Sequence, residues 1–167
     1  MLMSTNNLHP SAQRVADAAA RLGMKIEIVT FDHSTRTAEE AAAAIGCQVG
    51  QIVKSLVFTV ASQPVIALVS GDNKLDTRKL AELFGVGRKQ VERASADTVR
   101  QATGYAIGGV PPIGHVKRTA IYIDEDLTRH EIIWAAAGTP NTVFAIKPDA
   151  LVQATQGQVV DLKNEHG

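Results

Sequence analysis

The sequence predicts a single α/β domain of the α+β kind, a mixed β-sheet with helices packed around it. Three observations carry that expectation. Apolar residues switch between helical and alternating periods along the chain, yet strands and helices follow one another without a steady βαβ rhythm. No repeat, low-complexity tract or long linker divides the 167 residues, a length that suits one domain with a sizeable core. The 45% hydrophobic and 20% charged composition is that of an ordinary globular chain, not of a disordered or fibrous one.

Residues 1–10 read as a flexible segment. The first helix is expected over Ser11–Leu22, with Val15, Ala18, Ala19 and Leu22 at helical spacing and Gly23 as its stop. "MKIEIVTF" alternates as a half-buried strand. In "TAEEAAAAIG", Thr37 and Glu40 have the spacing of a capping box and Gly46 is a natural terminator. "QIVKSLVFTV" and "PVIALVS", joined by "ASQ", predict paired strands. Asp76 is placed to cap a third helix that turns Leu80, Leu83 and Phe84 inward. A short strand near Val91 and a helix capped at Ser95 follow. "GYAI" reads as a short apolar strand before a glycine-proline loop. "TAIYID", "EIIWAAAG" and "TVFAI" predict three further strands, "PDALVQAT" a short helix opened by Pro148, and "QVVDL" a last strand.

Charge and cysteine content narrow the function classes. Seventeen basic residues balance seventeen acidic ones, so no global positive field gathers nucleic acid, and any RNA contact is expected to be local. A single cysteine, Cys47, excludes an internal disulfide framework and fits a reducing compartment. "MLMSTNNLHP" lacks the regions of a signal peptide, and no apolar run reaches the ~18 residues of a membrane span. A soluble cytoplasmic domain is expected. The histidines and Cys47 show no metal-ligand spacing, so neither metal nor cofactor is expected.

Lys54 is the most informative side chain. In "QIVKSLVFTV" it sits among hydrophobes, and an unpaired buried ammonium is costly. It either snorkels from a sheet edge or forms the cationic floor of a pocket. Residues 104–115, "GYAIGGVPPIGH", supply what such a pocket lacks. Glycines let backbone N–H groups approach a ligand, and prolines stiffen the loop. Donors preorganised in this way stabilise a developing oxyanion. A plain turn between strands explains the same loop. No helix follows it, so a dinucleotide site is not expected.

"VKSLVF", "ALVSGDNKLD", "TGYAIGGVPPIGH" and "AAAGTPNTVFAI", in that order, resemble the YbaK-like family, free-standing relatives of the editing domain of bacterial prolyl-tRNA synthetases. The resemblance runs roughly from Val15 to Val160 and implies that 11–167 form one editing domain, with a strongly curved mixed sheet around a central pocket. It implies trans-editing, the hydrolysis of the ester joining a wrong small amino acid to the terminal adenosine of a tRNA, typically proline tRNA. The tRNA acceptor end is then the partner, with prolyl-tRNA synthetase or an elongation factor assisting delivery. The family's lysine falls on Lys54. Its glycine-rich loop falls on Gly108, Gly109, Val110, Pro111, Pro112, Ile113 and Gly114, and a small-residue turn bordering the pocket on Ala137, Gly138 and Thr139. The expected roles are Lys54 on a phosphate or ribose oxygen, and the N–H groups around Gly108 and Gly109 on the carbonyl oxygen. Phe31 stands where some cysteine-removing members carry a tyrosine, which leaves a cysteine specificity unsupported.

The other candidates carry two readings each. His115 is a general base or a local hydrogen-bonding residue. His33 orients substrate or lies on the surface, and Asp72 and Asn73 touch ribose or shape a turn. Trp134 stacks on adenine or belongs to the core. Phe31, His33, Ser55, Asp72, Pro111, Pro112, Gly114, His115, Ala137, Gly138 and Thr139 form the expected substrate-binding set. Lys117 and Arg118 meet acceptor-stem phosphates if they lie beside the pocket mouth. A binding module that recognises aminoacyl-adenosine ends without catalysis is the alternative from another class.

Overall fold

The computed structural model describes residues 7–165. Helix α1 spans Pro10–Arg21, with Pro10 at its first turn and the His9 ring accepting from the Ser11 N–H. The first six residues of the expected flexible segment lie outside the described residues, and Pro10 already belongs to α1. Val15, Ala18 and Ala19 are buried as expected, but Leu22 caps the helix and is 50% exposed. The expected strand 24–31 shortens to β1, Ile28–Thr30, because only those residues find a partner.

Helix α2, Ala38–Ile45, begins at Thr37, whose hydroxyl accepts from the Glu40 N–H at 3.0 Å. The Glu40 carboxylate reaches back to Arg36 N–H and not to Thr37, so the capping box is half formed. Gly46 ends α2 at φ 85°, where the left-handed region favours glycine. Thr37→Ala is expected to cost about 1 kcal/mol, read as a fall of roughly 2–4 °C in Tm by calorimetry.

Strands β2 (Val53–Val60) and β3 (Gln63–Ser70) form a hairpin whose two turn residues, Ala61 and Ser62, both have positive φ. Helix α3 (Thr77–Leu83) is capped by Asp76, which accepts from Arg78 N–H. Leu80 is fully buried there, whereas Leu83 is 40% exposed and Phe84 meets Tyr122 edge to face. Strand β4 (Val91–Arg93) leads to α4 (Ala96–Thr103), capped by Ser95. Strands β5 (Ala120–Asp124), β6 (Ile133–Ala136) and β7 (Thr142–Ile146), helix α5 (Pro148–Thr155) and strand β8 (Gln158–Val160) complete the chain. The "GYAI" strand does not form. Gly104 ends α4 in the left-handed region, Tyr105 is buried beneath the Arg14 guanidinium, and Ile107 is 58% exposed.

The mixed α/β expectation holds, with the eight strands of the described residues divided between two open sheets. One is five-stranded and mixed, in the order β4-β2-β3-β5-β8; the other is antiparallel, in the order β1-β7-β6. Among the described residues an isolated parallel bridge, Ile52–Trp134, joins them. Strand β3 is the centre of the larger sheet and is buried from Val65 to Ser70, the pattern of a strand covered on both faces. The main core packs α1, α4 and α5 against β2, β3, β6 and β7.

This topology leaves a gap. Strand β2 pairs along its whole length with β3, but β4 reaches only Phe58–Val60, with Ala94 N–H donating to the Val57 carbonyl. Between that contact and the Ile52–Trp134 bridge, the outer edge of β2 has no ladder partner among the described residues. Hydrogen-bonding direction alternates along a strand. Because Ile52 uses its carbonyl on the β3 side, accepting from Gly71 N–H, the Ser55 N–H and C=O turn toward the open edge.

Candidate active site

A cavity of about 460 Å³ opens at that free edge. Its floor is β2, with Val53, Lys54, Ser55 and Val57. The start of α2 supplies Thr35–Glu39, β6 supplies Trp134 and Ala136, the β6–β7 turn supplies Thr139 and Pro140, and the glycine-proline loop supplies Ile107, Gly108 and Val110. Lys54 and Gly108 therefore border one space, although they lie 54 positions apart in the chain.

Lys54 is half-buried, and its Nζ donates a hydrogen bond to the main-chain carbonyl of Asn73. Burial holds its pKa below the ordinary lysine value, an effect opposed by Glu39, Asp124 and Asp72 and reinforced by Arg93. No carboxylate lies within ion-pair distance of it among the described residues. It is a cation anchored by a neutral carbonyl. The Ser55 hydroxyl is shut off from solvent beside it, with no hydrogen-bond partner among the described residues.

The two glycines of the expected oxyanion site separate. Gly108 is exposed, has φ 93°, and would carry an added Cβ into nearly open space, 3.9 Å from Pro140 Cγ. Gly109 is buried, and its N–H donates to the Ala106 carbonyl at 3.0 Å. A Cβ on Gly109 would lie 2.8 Å from the Gly138 carbonyl oxygen and the Thr139 Cα. Of the two expected oxyanion donors, the Gly109 N–H is already used by the turn at 106–109.

Several expected binding residues lie elsewhere. Phe31 is buried outside the cavity lining, its backbone bonded to Asn141 on both sides. His33 is exposed and does not border the cavity. Asp72 is exposed, with its carboxylate over the Gly50 α-carbon and outside the cavity lining. Pro111 is buried and does not line the cavity; its carbonyl is 2.6 Å from His115 Nε2. Burial lowers the His115 pKa, so the ring is neutral at pH 7 and ties the loop together through its N–H. Pro112, Gly114 and His115 border a second groove of about 390 Å³, together with Lys117 and Arg118. The basic residues lining the cavity itself are Arg36 and Arg93 besides Lys54. Ala137 is fully buried, and Gly138 packs on the start of α1, whereas Thr139 does line the cavity.

Trp134 lines the cavity while also packing on the cluster of Ala41, Ala42 and Ile52. The alternation of buried Ile133 and Ala135 with half-buried Trp134 and Ala136 is the sequence signal for it. Cys47 is half-buried with its thiol pKa raised by burial. No group of three or more His, Cys, Asp or Glu side chains is placed to hold a metal ion, and no helix is long and apolar enough to cross a membrane, among the described residues.

A half-buried cation, a positive-φ glycine whose N–H has no backbone partner among the described residues, and a mostly apolar cavity wall suit the capture of a small acyl group next to an anionic scaffold. Known proteins agree with that class. Residues 32–154 match the aminoacyl-tRNA editing domain family. A solved structure described provisionally as a trans-editing enzyme for prolyl-tRNA synthetase superposes with a TM-score of 0.89 at 46% identity, covering 95% of this chain and 99% of that one. A protein from Enterococcus faecalis, provisionally named Cys-tRNA(Pro)/Cys-tRNA(Cys) deacylase EbsC, is 34% identical over 128 residues, 75% of this chain and 76% of that protein. The proline--tRNA ligase of Maridesulfovibrio salexigens is 39% identical over 100 residues, 60% of this chain but 17% of the ligase. The chain belongs to the aminoacyl-tRNA editing family, and its activity is deacylation of mischarged tRNA.

Proposed function

We propose that this chain is a trans-editing hydrolase that clears small wrong amino acids from proline tRNA, with the substrate supplying part of the chemistry. The observation that carries the reading is that Lys54 and Gly108 border one cavity. The aminoacyl ester is already activated, so no protein nucleophile is required. The Lys54 ammonium holds a ribose or phosphate oxygen of the terminal adenosine, and the Gly108 N–H receives the carbonyl oxygen as negative charge develops on it. Water attacks the carbonyl carbon, assisted by the neighbouring ribose hydroxyl; the ester C–O bond breaks and the proton passes to the departing ribose oxygen.

Arg36 and Arg93, which line the cavity, meet phosphates of the acceptor end in this reading. With a formal net charge of zero, affinity for tRNA is weak and salt-sensitive, which favours delivery by prolyl-tRNA synthetase or an elongation factor in the cytoplasm. Ala136 and Gly108 leave room for an acyl group of alanine size or slightly larger.

A panel of proline tRNA charged with alanine, cysteine, serine, threonine and 2-aminobutyrate, assayed under single-turnover conditions, tests the reading. Release of at least one small residue is expected. Tight binding of the charged end with no release from any of them would instead establish the non-catalytic module. The pH profile provides a second test. Lys54 acts as a cation and its pKa is lowered, so the rate falls as pH rises through a value below that of an ordinary lysine. An alkaline limb that is unchanged in Lys54→Ala would exclude that assignment.

A further inference from the structure

We infer that Asn73, clamped by the carboxylates of Asp124 and Asp126, is the positioning residue that fixes the Lys54 ammonium in the cavity. The inference rests on the deacylase reading for its kinetic consequence but not for its geometry.

The Asn73 side-chain nitrogen has two hydrogens, and both are committed. One goes to Asp124 Oδ2 and the other to Asp126 Oδ2, each at 2.8 Å. Asp124 is 1% exposed and also accepts from Ser70 N–H at 3.0 Å and from Asp126 N–H at 2.9 Å. Asn73 N–H closes the turn on the Ser70 carbonyl at 2.9 Å. The turn that leaves β3 is therefore tied to the end of β5, and its outward-facing product is the Asn73 carbonyl that Lys54 Nζ uses.

This arrangement separates holding the amine from neutralising it. A direct carboxylate partner would fix Lys54 but also quench its charge. A carbonyl fixes it and leaves the charge for a substrate anion, while buried Asp124 favours the protonated form from behind. The charged groups facing Lys54 are Glu39 from α2, Arg93 from β4, Asp72 from the turn after β3, and Asp124 from β5. Only Asp124 reaches it through the Asn73 clamp.

Two readouts test the clamp, one of them independent of activity. In the full-length protein labelled with 15N-lysine, hydrogen exchange of the Lys54 ammonium is measured, with the signal assigned by its loss in Lys54→Arg. Asn73→Ala leaves the main-chain carbonyl in place but removes the clamp that holds it, and is expected to speed that exchange by about tenfold as the acceptor is displaced. In single-turnover deacylation the same change is expected to lower the maximal rate roughly 10- to 100-fold with KM little altered, the signature of a displaced group. Asn73→Asp has nearly the same shape but brings a third carboxylate against two others. It is expected to be worse than Asn73→Ala at pH 8 and to recover as pH falls and a shared proton restores a donor. If Asn73→Ala fails to fold, Asp126→Ala, at a partly exposed site, gives the same shifts at smaller amplitude. Wild-type ammonium exchange in whichever of these variants folds, or an Asn73→Asp enzyme as active as wild type, would overturn the inference. A wild-type protein that releases no amino acid would defeat the deacylase reading alone, because the exchange measurement still decides the clamp.

Discussion

Lys54→Ala is expected to slow single-turnover deacylation by about 100- to 1,000-fold, the loss that follows removal of one preorganised electrostatic contact to a transition state. The physical reason is local. Lys54 is the cation on the cavity floor, it has no ion-pair partner among the described residues, and its amine is already oriented by a carbonyl. The substitution removes a half-buried charge from an open edge of the sheet, so folding should not suffer; circular dichroism and Tm should stay near wild type. Lys54→Arg should restore the charge but not the rate, because a planar fork cannot reproduce a single amine-to-carbonyl contact in the same space. Near-normal turnover in Lys54→Ala would remove the residue from the mechanism.

Gly138→Ala is expected to be strongly destabilising. Gly138 has φ 100°, where a side chain is strained, and an added Cβ would lie 2.6 Å from the Ser11 carbonyl oxygen and 2.8 Å from its carbon. Both neighbours are backbone at the start of α1, so relief requires moving the helix or the β6–β7 turn. Backbone strain and overpacking together amount to about 3 kcal/mol, or roughly 6–12 °C in Tm for a chain of this size. Thermal unfolding by calorimetry checks it, and a Tm within a degree of wild type would contradict the close approach. The turn also carries Thr139 and Pro140 into the cavity wall, so residual activity should fall along with stability.

Much of the fold was legible because the signals were local. Thr37, Asp76 and Ser95 cap the helices they were expected to cap, and the apolar runs after Gln51 and before Gly71 form the central hairpin. Lys54 stood out because a charge in a strand core requires an explanation. The misreadings share another cause. "GYAI" has the composition of a strand, but pairing is a long-range property, and no edge is available beside it. Gly108 and Gly109 are indistinguishable as letters; only the 106–109 turn decides which N–H is spent. Gly138 read as a cavity border, and its actual constraint comes from α1, more than a hundred residues earlier. Asn73 and Asp124 are 51 positions apart, so their contact has no periodicity to betray it. Arg36, which borders the cavity, was hidden for the same reason, while the adjacent pair Lys117 and Arg118 drew notice and faces another groove.

The convergence of Lys54 and Gly108 on one acyl group can be measured without turnover. A stable amide analogue of the charged end, 3′-alanylamino-3′-deoxyadenosine, is titrated into 15N-labelled protein while the Gly108 amide and the Lys54 ammonium are followed by NMR. Both signals should shift together and saturate at the same ligand concentration. A response confined to the groove around Pro112 and Lys117, or one in which Lys54 moves while Gly108 does not, would contradict the account.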